Sequence, residues 1–279
     1  MDDMSEKDAI ERTRGPPLTV DSIADDLSAL GVEPGMVLMV HSSLSSLGWV
    51  CGGAVAVILA IEKALGPEGT LVMPSTVGDN SDPASWRRPP VPEDWWPVIR
   101  ENTPAFDPDM TPTRKLGVIP ECFWKQPGTL RSSHPNASFA ARGPKAQTIV
   151  GEHSLDFSHG EGSPLARVYD LDGWVMLMGV DHDVNTSLHL AEHRSSLKGL
   201  RRIRCGAPMT VAGRREWVGY DDIETMDDDF PEIGARFAEE TGLVRNGPVG
   251  YASSRLIPQR QLVDFAVRWM DENRTDDTG

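Results

Sequence analysis

Met36-Val-Leu-Met-Val40 is an unbroken apolar run, and the fold follows from how it is read. A strand that faces water on one side alternates polar and apolar residues. A run with no polar residue implies burial on both faces, as in a parallel sheet covered by helices. Thr70-Leu-Val-Met73 and Trp174-Val-Met-Leu-Met178 have the same character. Before and between these runs the period changes. Val20, Ile23, Leu27 and Leu30 recur at helical spacing behind Thr19, a capping residue, and stop at Gly31. Ala54 to Leu65 reads as a second helix ended by Gly66-Pro67. Alternating helix and strand predict an α/β fold, a single compact domain whose mainly buried central sheet is flanked by helices.

Outward from this frame the pattern thins. Pro74 to about Met110 is rich in Pro, Asp and Trp (Trp86, Trp95, Trp96), a long loop that either covers substrate or packs over the surface. A short helix is expected near Gly117 to Lys125. Ile203 to Val211 and Glu216 to Val218, separated by Ala212-Gly213-Arg214-Arg215, predict a β-hairpin. Phe230 to Glu240 and Gln259 to Met270 predict helices. The expected organisation is a flexible N-terminus over 1–17, one domain over 18–272 and a flexible tail over 273–279.

Composition narrows the function classes. The 279 residues are 39% hydrophobic and 25% charged, enough for a sizeable core. No apolar run reaches membrane-spanning length, and the acidic, polar start does not read as a secretory signal. Cys51, Cys122 and Cys205 are odd in number and widely spaced, which fits a reducing cytoplasm better than a disulfide framework. A formal charge of −15 works against nucleic acid and anionic membranes and attracts a polycation.

Four segments carry chemistry. The loop from His41 through Ser42, Ser43 and Leu44 to Gly52 and Gly53 lies between a buried strand and a helix N-terminus, where backbone N–H groups and the helix dipole attract anions. It is neither a Walker A loop nor G-x-G-x-x-G, but a pyrophosphate such as that of CoA suits it. Asp183-Val-Asn185-Thr-Ser-Leu-His189-Leu-Ala-Glu192-His193 follows a strand end, and helical spacing groups His189, Glu192 and His193. A histidine beside carboxylates is a general-base arrangement. The same five residues, HLAEH, also match the H-x-x-E-H zinc pattern, which leaves a zinc hydrolase open. His153, Asp156, His159 and Glu161 share a Gly-containing loop that either lines an anionic cleft or ends in an ordinary helix start at Ser163-Pro164. Thr111, Arg114 and Arg131 form basic, hydroxyl-rich islands suited to phosphates or to neighbouring carboxylates.

Taken in order, VHSSLSSLGWVCGG (40–53), GPEGTLVMP (66–74), AFDPDMTPTRKLG (105–117), RSSHPNASFAARG (131–143), HSLDFSHGEGSPL (153–165) and LMGVDHDVNTSLHLAEH (177–193) resemble the aminoglycoside 3-N-acetyltransferase family. VGYASSRLIPQRQLVDFAVRW (249–269) is similar to that family's ending, so the resemblance covers roughly Leu18 to Met270. It implies an acetyl-CoA-dependent enzyme that acetylates the 3-amino group of a cationic aminoglycoside, without metal, as a cytoplasmic monomer or homodimer that confers antibiotic resistance. It implies His189 as the base, with Asp183 and Glu192 as acidic neighbours. His41 to Leu44, Gly52, Gly53, Thr111 and Arg114 then face CoA. His153, Asp156, Glu161, Asn185 and Glu192, with the acidic segment Asp221 to Asp229, face the acceptor. An acetyltransferase of the same family acting on another biosynthetic amine is the alternative. Val180-Asp181-His182 departs from the family, in which a small residue often follows the Gly-Val pair, and this implies that His182 alters the acceptor pocket.

Overall fold

The computed structural model describes residues 6–87, 89–196 and 200–275. In chain order the first half comprises α1 (Glu6–Arg12), α2 (Val20–Leu30), β1 (Val37–Ser42), α3 (Leu44–Leu47), α4 (Gly53–Leu65), β2 (Thr70–Pro74), α5 (Trp96–Asn102), α6 (Val118–Trp124), β3 (Leu130–Arg131) and β4 (Phe139–Arg142). The second half adds α7 (Ala146–Val150), α8 (Pro164–Asp170), β5 (Trp174–Met178), α9 (Ser187–Arg194), β6 (Arg202–Val211), β7 (Arg214–Ile223), α10 (Phe230–Thr241), β8 (Arg245–Val249), β9 (Ala252–Pro258) and α11 (Gln259–Asn273).

The seven-stranded sheet runs β3-β4-β2-β1-β5-β9-β8. Its three middle strands, β2, β1 and β5, are parallel, and these are the three apolar runs of the sequence. Antiparallel strands close both edges. Leu38, Val40, Met176 and Met178 face one core, with Ile23, Leu27, Ile58, Ile61 and Phe123 of α2, α4 and α6. Val37, Met39, Val175 and Leu177 face the other, with residues of α7 to α11. Burying each such side chain contributes about 1.5–3 kcal/mol relative to exposure, and two-sided burial is why the runs lack polar residues.

Local signals explain several boundaries. Thr19 accepts a hydrogen bond from Ser22 N and the Ser22 side chain returns one, a full capping box, while Gly31 closes α2 at φ 106°. The hairpin is longer than the sequence suggested. β7 begins at Arg214, and Ala212-Gly213 form a two-residue turn at φ 48° and 79°. The excursion after β2 packs onto this hairpin: Phe106 N bonds Pro208 O, Arg215 reaches the Thr103 and Arg100 carbonyls, and Arg100 grips Asp82.

Flexible segments were expected at the two ends. Residues 1–5 and 276–279 lie outside the described residues. Within 6–17 a helix, α1, is joined to the domain by Thr13, whose hydroxyl donates to Ala9 O and accepts from Trp49 N. At the other end Arg274 is buried and paired with two carboxylates.

His182, expected to alter an acceptor pocket, is instead buried against α10. A Cβ added at Gly234 would overlap its ring. Glycine inside an exposed helix normally costs about 1 kcal/mol relative to alanine. Here overlap dominates, so Gly234→Ala is expected to destabilise by about 1–3 kcal/mol, and His182→Ala should relieve much of that loss. Urea unfolding of the single and double variants measures both, and a Gly234→Ala protein more stable than the parent would refute the close packing.

Candidate active site

β1 has β2 on one side and β5 on the other. The β1–α4–β2 connection covers one face of the sheet, while α7 and α8, which precede β5, pack on the other. Such a switch in direction opens a crevice beyond the carboxyl ends of the two strands. β1 ends there at His41-Ser42 and β5 at Met178, followed by Gly179 and α9.

α9 carries the central pair. His189 and Glu192 lie three residues apart on one helical face, and His189 Nδ1 donates to Glu192 Oε2 at 2.7 Å. A carboxylate accepts only, so this bond fixes the proton on Nδ1 and leaves Nε2 with a lone pair. The His189 side chain is 17% exposed, while Glu192 has no exposed surface. Glu192 Oε1 in turn accepts from Met226 N and from Arg274 Nη1, each at 2.9 Å. Phe230 of α10 and His159 flank the His189 ring, with centroids 5.0 and 5.1 Å away.

All seven histidines of the chain gather around this crevice. Burial pushes His41 and His153 down to about 3, with nearby histidines adding to the effect, and His134 and His182 to about 4. Burial also holds His159 well below the ordinary range. Hydrogen bonds fix their neutral forms. His134 Nδ1 accepts from the Asn136 and Ala137 amides, so its Nε2 donates to Leu155 O. Phe139 N donates to Ser132 Oγ, Ser132 Oγ donates to His153 Nδ1, and His153 Nε2 donates to Ser158 O at 2.7 Å. His193 is committed at both nitrogens, to His189 O and to Asp222 Oδ1. Asp222 also accepts from Ser158 Oγ at 2.6 Å.

This placement revises several expected roles. Asp183 does not pair with His189; it is exposed on the turn between β5 and α9. Asn185 is fully buried, accepting from Ser187 N at the start of α9 and contacting His182, and it lines no open surface. His153 belongs to the buried network rather than to an acceptor surface, and Glu192 meets His189 and Arg274 rather than solvent. Glu161 is held by Arg194 in two hydrogen bonds, and Asp156 accepts from Asp221 N. In the acidic segment, Asp221 pairs with Arg204, Asp222 with His193 and Asp229 with Arg274.

The CoA-side residues divide similarly. His41 is buried, its Nε2 3.4 Å from the Thr186 hydroxyl. Ser43, Ser45 and Ser46 bond one another, and Leu44 packs into the core. Ser42 Oγ is buried without a hydrogen-bond partner. Gly52 (φ 88°) and Gly53 (φ 56°) start α4 with no side-chain cap, and a Cβ at Gly53 would meet nothing. Thr111 closes its own turn by accepting from Asp107 N, and Arg114 pairs with Asp79. Arg131 is a structural staple: it stacks over Trp124 and Phe106 and donates to Ser75 O and Thr111 O. Sequence reading gave no individual role to Ser158, Phe230 or Arg274, although Ser158 lies in the 153–165 segment it singled out and Asp222 in the acidic segment.

The model of the aminoglycoside 3-N-acetyltransferase family matches residues 39–271. The chain belongs to the aminoglycoside 3-N-acetyltransferase family. Among curated relatives it is 46% identical to an SPbeta prophage-derived aminoglycoside N(3')-acetyltransferase-like protein, YokD, of Bacillus subtilis, over 92% of this chain and 94% of that one. It is 36% identical to aminoglycoside N(3)-acetyltransferase VII of Streptomyces paromomycinus, over 96% of both. The crystal structure of Bacillus subtilis YokD superposes with a TM-score of 0.92 at 44% identity, covering 98% of this chain and 99% of that one. AAC-IIIb, solved as a binary complex with CoASH, gives 0.83 at 32% identity, covering 95% and 100%. AAC-VIa bound to sisomicin gives 0.81 at 31% identity, covering 93% and 99%. Members of this acetyltransferase family are acyltransferases, and so is this enzyme. Among the described residues no helix is long and apolar enough to cross a membrane.

The histidine cluster sets the enzyme's acid stability. A histidine whose folded value lies below its unfolded value of about 6.5 keeps its contribution above that pH and loses it as pH falls toward the folded value. Each such ring costs up to about 1.4 kcal/mol per pH unit in that window. His41, His134, His153, His159 and His182 all shift downward. Urea melts are therefore expected to lose several kcal/mol between pH 7 and pH 5.5. A flat profile over that range would contradict the buried neutral cluster.

Proposed function

We propose that this chain transfers the acetyl group of acetyl-CoA to the 3-amino group of an aminoglycoside, with His189 as general base. The observation that carries this reading is the His189–Glu192 pair, in which a buried carboxylate takes Nδ1–H and leaves a basic, partly exposed Nε2. An ammonium has no lone pair, so the acceptor must first give a proton to Nε2, directly or through water. The amine nitrogen then attacks the thioester carbonyl carbon, the C–S bond breaks and CoA leaves as thiolate. The attacking nitrogen sheds its second proton as the amide forms and the thiolate takes up one, so the products are the acetamide, CoA thiol and one released proton.

Transfer is direct, within a ternary complex. A covalent route needs an activated nucleophile. The Ser158 hydroxyl is spent on Asp222, and burial pushes the Cys205 thiol up to about 11. On the CoA side the uncapped Gly52-Gly53 start of α4 suits a phosphate, because the first-turn N–H groups there have no side-chain acceptor. The orphaned Ser42 hydroxyl adds a donor at the end of β1. Asp183, exposed beside the crevice, is better placed to meet an ammonium than to orient His189. The relative solved with sisomicin supports a polycationic acceptor, and the net charge of −15 draws one in. Three free cysteines and acetyl-CoA as donor support a cytoplasmic reaction.

Release of CoA thiol, followed across a panel of aminoglycosides, tests the reaction. His189→Ala is expected to lose about 100-fold or more in turnover, the scale of general-base loss, with acetyl-CoA binding little changed. Parental turnover in that variant would remove His189 from the mechanism, and thiol release only with other amines would assign a different acceptor. The HLAEH segment also makes a metal test informative. His189 Nδ1 and both His193 nitrogens already face protein acceptors, so we expect full activity in a strong chelator. Activity lost to chelator and restored by zinc would overturn this reading.

A further inference from the structure

Glu192 divides its two oxygens between different tasks. Oε2 accepts from His189, and Oε1 accepts from Arg274 and the Met226 amide. Arg274 follows the last residue of α11, and its side chain is only 5% exposed. It is oriented before it reaches Glu192: Nε and Nη2 hold the two oxygens of Asp229 at 2.7 and 2.8 Å, and Nη2 also donates to Met226 O. The planar fork of guanidinium suits this divided grip, which a lysine point charge would not reproduce.

We propose that Arg274 is a positioning residue for the acetyl transfer, holding Glu192 turned so that Oε2 fixes the tautomer of His189. The inference rests on the reading of His189 as base. A buried carboxylate without a cation either takes up a proton or turns toward another donor. In the first case it no longer selects Nδ1–H, and in the second it no longer touches the ring. Burial alone would lower the Arg274 charge's stability, but its bonds to Asp229 and the charge of Glu192 outweigh that and hold it protonated. α11 packs against α9, so the far end of the fold reaches the base through this one side chain.

The pH profile separates this role from simple scaffolding. His189 faces Glu192 on its own helix, His159 from the loop before α8, His41 from β1 and Phe230 from α10. Arg274 is the cation on the far side of Glu192, with Asp229 behind it, while Asp222 is taken by His193. Removing the Arg274 charge lets the His189–Glu192 pair hold one shared proton more tightly, whichever group carries it.

Arg274→Met is therefore expected to lower kcat by about 10–100-fold, the scale seen when a residue that orients a functional histidine is lost. The KM for acetyl-CoA should stay within about twofold of the parent, and the acidic limb of kcat/KM should move to higher pH. Arg274→Lys, which keeps the charge, should recover part of kcat and return the limb toward the parental position. If the Met variant does not fold, Arg274→Gln is read in its place with the same expected limb shift. Turnover and limb unchanged in the neutral variant, beside an inactive His189→Ala, would overturn the positioning role while leaving the base in place. Parental turnover in His189→Ala would overturn both.

Discussion

A carboxylate with no exposed surface is the constraint around which the active side of this enzyme is arranged. Taking a charge such as that of Glu192 out of water costs several kcal/mol. The fold offsets it with one cation, one backbone amide and one imidazole. These partners come from three places: Arg274 from the end of α11, Met226 from the segment before α10 and His189 from α9 itself. Long-range packing of α9, α10 and α11 is thus coupled to the protonation pattern of a single ring. The orientation of His189 is specified by tertiary structure as much as by the helix that carries it.

The surrounding histidines extend the same logic. Five rings are kept neutral by burial, and hydrogen bonds assign the protons of His134 and His153. Polar groups so placed lower no barrier by themselves. They make a rigid, poorly hydrated floor in which an added charge is felt strongly. The two remaining rings, His189 and His193, are the ones beside carboxylates. Of these, only His189 keeps a nitrogen without a protein partner among those described, which is why two histidines one turn apart play different parts.

Legibility in the sequence followed the range of each interaction. The parallel core strands were visible because two-sided burial leaves no polar residue in Val37–Val40 or Val175–Met178. Helix α2 was visible because its cap is local. β4 was not, since Phe-Ala-Ala-Arg carries little β signal and becomes a strand only beside β2. β8, with Asn246-Gly247-Pro248, reads as a turn and is a strand because β9 pairs with it. The site divides the same way. His189 and Glu192 are three residues apart, so helical spacing brings them together. Asp222 and Arg274 lie 29 residues from His193 and 82 from Glu192, respectively. The resemblance implied Asp183 as an acidic neighbour of His189, but the structure puts it exposed on the turn before α9. The acids expected to bind the acceptor, Glu161, Asp221 and Asp229, each pair with an arginine that the sequence alone did not mark.

The HLAEH segment shows how one short pattern leads to two chemistries. A zinc site needs imidazole nitrogens directed at a common point with their outer nitrogens braced by acceptors. Here Glu192 is itself the brace of His189, and His193 turns one nitrogen to the His189 carbonyl and the other to Asp222. The two rings therefore do not converge, although helical spacing places them on adjacent turns. What remains is one oriented imidazole with an open nitrogen, at the mouth of a crevice between two parallel strands. Aminolysis of a thioester by general-base catalysis asks for no more than such a nitrogen. The thioester carbonyl is already electrophilic, and the only group that must be activated is the ammonium.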